Sequence, residues 1–231
     1  MKTIAACLVV VGGAVAAMSA TPQNAPAAAT DVYHVHFAKA APGQAAALGK
    51  SLMTPDKTSP MPEHFVVLRH QEGDDWDYVV IQHLGAKAEV TVSTPPPTDA
   101  QRALNAWHND TFASGPSWAE FSKQMGLGGA AGQVYIVGVQ RAVPGHREQL
   151  LKALTAPASG KVQTGEVLLQ HMEGSEWTLA TITRYNSWQD LANDRVAAAA
   201  AGDTAAGGWA DIRQHSAFHR DTIADRIYPA K

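Results

Sequence analysis

Val32-Tyr33-His34-Val35-His36-Phe37, followed by Pro42-Gly43, returns 102 positions later as Val134-Tyr135-Ile136-Val137-Gly138-Val139, followed by Pro144-Gly145. A second block, Val67-Leu68-Arg69-His70-Gln71-Glu72-Gly73 with Trp76, recurs one residue closer as Leu168-Leu169-Gln170-His171-Met172-Glu173-Gly174 with Trp177. The third echo sets His108-Asn109-Asp110-Thr111-Phe112 against His219-Arg220-Asp221-Thr222-Ile223, at a spacing of 111. The second copy therefore carries about ten extra residues before this motif, in its Ala/Gly-rich stretch. Two copies make a pseudo-dimer, whereas a solenoid needs three or more units to bury a continuous core.

Within each copy the signals run strand, helix, strand, turn, strand, helix and a short terminal segment, a βαββαβ unit. Strand one alternates around Tyr33, Val35 and Phe37, matched by Tyr135, Val137 and Val139, and this apolar face is expected to pack on helices. Pro42-Gly43 and Pro144-Gly145 open helices carrying Ala46, Leu48 and Leu52 in one copy and Leu150, Leu151 and Leu154 in the other, with Pro55 and Pro157 helping to end them. Strands two and three are predicted at 65–70 and 76–83, then at 167–171 and 177–184, joined by Glu-Gly turns that set antiparallel hairpins. The next helices are predicted at 99–109, and at 188–201 plus 209–218. A Pro-rich loop spans 94–98, and the Gly-rich segment 126–132 is the linker between a first unit, 31–125, and a second, 133–231.

Before the first unit, Lys2 and the apolar run from Ile4 to Ala17, followed by small residues, read as an export signal over about 1–20, with a disordered Ala/Pro-rich leader at 21–30. That run is too short to span a bilayer, so no stable membrane insertion is expected, and the chain is expected in the periplasm or secreted. The lone cysteine, Cys7, falls inside the signal, which leaves the mature chain without disulfides or thiolate ligands. With 18 basic and 21 acidic residues there is no electrostatic footprint for nucleic acid. Oligomeric state is left open.

The element order, the repeated Tyr-x-Val and Pro-Gly starts and the Trp-led third strand resemble the dimeric α/β-barrel superfamily of ferredoxin-like domains. That superfamily includes antibiotic-biosynthesis monooxygenases, NIPSNAP-like proteins and stress-responsive A/B-barrel proteins. The resemblance covers nearly all of residues 31–228 and implies an α+β fold in which two tandem ferredoxin-like units form an intramolecular dimeric-type α/β barrel enclosing a small-molecule cavity. Fold alone does not transfer function.

The sheet order of that superfamily sets strand one between strands three and four. It would bring His36 toward Trp76 and toward His108 and Asp110, with His70 at the same edge. In copy two the corresponding residues are Gly138, Trp177, His219, Asp221 and His171. The repeated His-x-Asp-Thr has a bland role open to it, satisfying backbone groups at a helix C-terminus, and Trp76 and Trp177 have one as core anchors. His34 and His36 are the sharper signal. Two apart on a strand, they share a face, expected to be the barrel interior opposite Tyr33, Val35 and Phe37. Imidazoles titrate near neutrality and serve as general acids or bases, a use some A/B-barrel cyclases are understood to make of cavity-facing histidines. Equally, they are a hydrogen-bonded pair with no catalytic duty.

His34, His36, His108 and Asp110 are accordingly the catalytic candidates, with His108 assisting and Asp110 orienting. Trp76, His70, His171, Trp177 and His219 are the substrate-binding candidates. A metal site begun by His34-x-His36 needs a third ligand from His108, Asp110, His64 or His83, none at a diagnostic spacing, so no metal is assigned. Haem enters only through the resemblance, and no cofactor is expected. The expected function is binding of a small apolar or aromatic molecule, with cofactor-independent monooxygenase or cyclase-like acid/base activity. The alternatives are a non-catalytic binding or interaction module whose repeated His and Trp residues are structural, and a subunit that associates further through exposed sheet edges or helices, with no pocket function.

Overall fold

The computed structural model describes residues 30–87, 90, 97–129, 133–156, 162–201 and 206–230. The expected signal, the leader up to Ala29, part of the 94–98 loop, residues 130–132 of the linker and Pro157 lie outside them. The elements run β1 (Asp31–Ala40), α1 (Ala45–Leu52), β2 (Phe65–Glu72), β3 (Tyr78–Ala86), α2 (Asp99–Arg102), β4 (Asn105–Gly115) and α3 (Trp118–Gln124). The second copy continues with β5 (Val134–Ala142), α4 (Arg147–Leu154), β6 (Gly165–Glu173), β7 (Leu179–Tyr185), α5 (Trp188–Ala201), α6 (Trp209–His215) and β8 (Ser216–Tyr228).

All eight strands close into one barrel in the order β1-β3-β2-β8-β5-β7-β6-β4. Each copy supplies four antiparallel strands with its first strand between its third and fourth. Two seams join the copies, β2 to β8 and β4 to β6. Closure leaves every strand with two neighbours, so the barrel offers no free sheet edge for further association, and only helical faces remain for it. At the β2–β8 seam Arg69 forks onto Asp225, at 3.1 and 2.8 Å, and Gln71 donates to the same carboxylate.

The face assignment of β1 is the reverse of the sequence expectation. Tyr33, Val35 and Phe37 look inward and share one buried cluster with Val66, Leu68, Tyr135, Val137, Val167 and Leu169 of both copies. The barrel is thus filled with side chains. Tyr33 and Tyr135 are fully buried, and their hydroxyls donate to the carbonyls of Pro116 and Met125 at 2.7 and 2.8 Å. Helix α3, which the sequence reading left unassigned, closes this end. Its Phe121 stacks on Tyr33 with ring centroids 5.0 Å apart, and Asp31 accepts a hydrogen bond from the Trp118 amide. Outside the barrel, Ala38, Leu48, Phe65, Val67 and Tyr78 form a second layer beneath α1, and Val134, Ile136, Tyr185 and Leu191 form a third beneath α5.

The predicted helix at 99–109 is also corrected. A Thr98/Gln101 capping box starts α2, but it ends at Arg102, and β4 takes over at Asn105. Pairing with β1 along ten residues, Asp31 to Ala40, captures this segment, because β1 would otherwise expose a row of unpaired backbone groups. In copy two, α6 likewise ends at His215 and β8 begins at Ser216. The His-x-Asp-Thr motif therefore lies on a strand in both copies, not at a helix C-terminus.

Candidate functional site

Alternation along β4 places His108, Asp110 and Phe112 on its outer face, since Ala113 joins the interior cluster. Alternation along β1 turns His34 and His36 outward with them. His36 lies directly opposite Asp110 in the β1–β4 register, and His34 opposite Phe112. The four catalytic candidates consequently meet around one carboxylate. His34 Nε2 and His36 Nδ1 each lie 2.8 Å from Asp110 Oδ1, and His108 Nδ1 lies 2.7 Å from Oδ2.

Burial would raise the Asp110 carboxyl, but hydrogen bonds from His34 and His36 outweigh it and hold the group well below the usual carboxylate range. An ionised carboxylate only accepts, so each contacting imidazole nitrogen donates. In the neutral tautomers this leaves His34 Nδ1 and His36 Nε2 as basic nitrogens.

His34 and His36 line a chamber of about 380 Å³ between the outer face of the first unit's sheet and the α1 side. Its floor is Phe65, Val80, Leu84 and Phe112, and its roof is Leu52 with the turn through Thr54, Asp56 and Pro60. Gln82 secures that roof by donating to the Met61 carbonyl at 2.6 Å. Asp110 and His108 stand behind the imidazoles, outside the lining. The chamber thus lies beneath the helical layer, not inside the barrel as the sequence placed it, and it has an imidazole wall in an otherwise mixed, partly apolar surface.

The substrate-binding candidates do not join this chamber. His70, Trp76, His171 and Trp177 sit on the interior face at the barrel end opposite α3. His70 is edge-on to Trp76 at 5.7 Å, and His171 edge-on to Trp177 at 5.5 Å. Trp76 and Trp177 are 4% exposed, belong to the core cluster, and also line a separate cavity of about 590 Å³ at the barrel mouth with Phe37, Trp107 and Phe218. Burial pushes the His171 imidazole below its ordinary value, against the opposing charge of Glu173.

His219 lies on the outer face of the second unit, 3.0 Å from Asp221 Oδ1. There Ile136 and Gly138 stand in place of the imidazole pair. Ile136 joins the apolar layer under α5, and a Cβ at Gly138 would stand 2.8 Å from Asp221 Oδ1 and 2.9 Å from Thr181 Oγ1. Arg195 from α5 reaches Asp221 at 3.6 Å. The residues that shape the chamber, Leu52, Phe65, Val80, Leu84 and Phe112, were not among the sequence's site candidates, because each reads as an ordinary apolar position of its helix or strand.

A closed antiparallel barrel made by two ferredoxin-like units of one chain defines an intramolecular α/β barrel of the dimeric type. No family model matches the chain, and no curated protein matches it. Among solved structures it is similar to an anthrone oxidase-like protein, at 10% identity over 88% of this chain and 94% of that one, with a TM-score of 0.53. It is also similar to a "putative monooxygenase" from Lactobacillus acidophilus NCFM, at 9% identity over 85% and 94% of the two chains, with a TM-score of 0.46. At 10% identity the likeness to the anthrone oxidase-like protein is one of fold.

Proposed function

We propose that the chain is an exported protein that holds a small apolar or aromatic molecule in the first unit's chamber and removes a proton from it, as a monooxygenase-like or cyclase-like acid/base catalyst. The observation that carries this is the pair His34 and His36 on the wall of a 380 Å³ chamber, backed by an ionised Asp110. Such a volume suits a small ligand, and apolar walls with a few polar groups are the usual make-up of ligand cavities. Asp110 orients the imidazoles and stabilises the imidazolium that forms when either takes a proton. Restriction of the imidazole pair to one copy supports a functional role, since the second copy folds with Ile136 and Gly138 in their places.

Anthrone is a fitting probe, because its ring CH2, flanked by two aromatic rings and conjugated through them to the ketone, gives up a proton to a base. Loss of that proton gives a carbanion that O2 oxidises. The CH2 becomes a carbonyl, one oxygen atom enters the ring and the other leaves as water. Oxygen uptake and thermal shift with anthrone test both parts. Wild type is expected to consume oxygen and rise in Tm, whereas His36→Ala should keep the Tm shift and lose turnover. Undiminished turnover in His36→Ala removes the acid/base assignment, and no Tm shift across a panel of aromatic ligands removes the chamber.

Burial of Trp76 and Trp177 in the interior cluster, each 4% exposed, favours a structural role for the repeated His70/Trp76 and His171/Trp177 pairs. Replacing Trp76 by Phe should then lower stability without altering turnover.

A further inference from the structure

We propose that His34, His36 and Asp110 also form a binding site for one divalent first-row transition-metal ion, and that an ion held there switches off proton removal in the chamber. The switching half rests on the function proposed above, and the binding half does not.

The donor geometry fits. Two ligands from one strand and one from the directly paired residue of the next bring one ligand atom from each side chain within 4.8 Å of the others. The two nitrogen-to-oxygen separations are both 2.8 Å. Neighbouring ligands held about 2.1 Å from a common ion at right angles lie about 3 Å apart, so small ring rotations convert the shared hydrogen bonds into coordination. Two imidazoles and a carboxylate suit zinc, iron(II) or cobalt(II) and not magnesium or calcium, which take all-oxygen sets. His108, on the other carboxylate oxygen, holds the acid in place as an outer-shell partner does in known metal sites.

The second copy shows what the carboxylate otherwise needs. Asp221 has a guanidinium at 3.6 Å, from Arg195, besides its histidine. Among the described residues the ion-pair partners of Asp110 are three imidazoles. A divalent ion would supply the positive charge that Arg195 supplies in copy two. It would do so by displacing protons from the nitrogens now facing Asp110, because metal ligands must be deprotonated there. An imidazole bound to the ion, with its ring rotated toward it, can no longer accept a proton from a ligand.

Other histidine clusters provide the control. His146 and His215 approach through Nδ1 at 3.0 Å, and His64 and His83 do so at 3.1 Å, but the nearby carboxylates of Asp211 and Asp31 lie on the far Nε2 atoms of His215 and His83, so among the described residues neither pair brings three ligand atoms together.

The test is calorimetric titration of zinc chloride and, separately, cobalt(II) chloride into the chelator-stripped chain without any organic ligand, followed by oxygen uptake with anthrone at rising zinc. One ion per chain is expected, with affinity reduced at least 100-fold by His34→Ala, His36→Gln or Asp110→Asn and about 10-fold by His108→Ala. His146→Ala should leave binding unchanged. Magnesium should not compete, and turnover should fall in step with zinc occupancy.

Absence of one-to-one binding, or binding indifferent to the His34, His36 and Asp110 variants, overturns the site. Turnover that persists in the zinc-loaded chain overturns the switch. If the metal-free chain shows no turnover at all, the proposed function and the switch fail together while the calorimetry still decides the site. Circular dichroism of Asp110→Asn guards against an unfolded variant, and His36→Gln provides a second route to the same conclusion.

Discussion

Gly174, at the tip of the β6–β7 hairpin, lies against the backbone of Asp110, so that a Cβ there would stand 2.3 Å from the Asp110 carbonyl oxygen. Its counterpart Gly73 stands in the same relation to Asp221, at 2.4 Å. Each unit therefore presses a hairpin tip onto the last strand of the other, which is why both copies end this hairpin with Glu-Gly. The backbone at Gly174 has φ +102, outside the range side chains tolerate. Gly174→Ala should cost about 2–4 kcal/mol, from the conformational penalty together with displacement of the neighbouring strand. Gly43, at φ +79 with nothing within 4 Å of a built Cβ, should cost only about 1 kcal/mol when changed to Ala. Urea denaturation compares them, and equal losses would deny the contact any weight. Because Asp110 moves with its backbone, only Gly174→Ala should also weaken ligand binding in the chamber.

Arg226 is 1% exposed on β8, and it donates to the carbonyls of Pro229 at 2.7 Å and Gly129 at 3.0 Å. It thereby fastens the start of the connection between units to the strand that closes the barrel. Replacing it by Met leaves buried carbonyls without their donor, at a cost of about 2–4 kcal/mol. Arg69→Ala breaks the exposed pair with Asp225 at the neighbouring seam and should cost under about 1 kcal/mol. Denaturant midpoints separate the two. If both variants lose the same amount, the buried guanidinium is not what holds the connection.

The duplication is legible in the chain as a repeat, and the gathering of His34, His36, His108 and Asp110 follows from it once the resemblance supplies the sheet order with strand one between strands three and four. A two-residue spacing sets a shared face, and a sheet order sets which strands adjoin. The direction in which that face looks is not legible. In β1, Tyr33-x-Val35-x-Phe37 alternates with His34-x-His36, and a barrel under a helical layer buries both faces, so local hydrophobicity supports either assignment. The interior of two copies demands the larger apolar set, and only the assembled barrel reveals that demand. The helix predicted through Asn109 failed for a related reason, since strand pairing is a long-range gain that local periodicity does not carry. The chamber walls were invisible because Phe65, Val80 and Phe112 read in the sequence as core residues, and Phe65 belongs to the layer beneath α1 as well as to the chamber.

His83 offers a test by pH at the end of the barrel closed by α3. It is 5% exposed, with Nε2 donating to Asp31 Oδ2 at 2.8 Å, and Trp118 stacks over it. Burial lowers its imidazole below the ordinary value, outweighing Asp31, which raises it, while His64 adds to the lowering. The unfolded chain takes up this proton near pH 6.5, and the native chain does so only at lower pH. The unfolded state thus binds more protons in that interval. The stability His83 supports is complete above about pH 6.5 and declines as pH falls below it. Melting temperatures measured from about pH 5 to 8 should show a shallower acid decline in His83→Gln than in wild type. Parallel profiles would mean that His83 titrates alike in both states.

Val79 and Val80 are neighbours on β3 that face opposite ways, and they put the face assignment to a direct test. Val79 is fully buried in the barrel cluster, while Val80 pairs with His36 across the strands and forms part of the chamber floor. A phenyl ring at position 79 has to enter a filled interior, so Val79→Phe should lose about 1–3 kcal/mol while the surviving native chain still binds an aromatic ligand. At position 80 the ring enters the open chamber. Val80→Phe should stay within about 1 kcal/mol of wild type, because the added ring atoms extend into the chamber, and should weaken ligand binding at least tenfold. Urea denaturation and ligand-induced Tm shifts on the same two variants read both effects. The opposite pattern, with binding lost in Val79→Phe and stability lost in Val80→Phe, would return the histidines to the barrel interior and move the chamber with them.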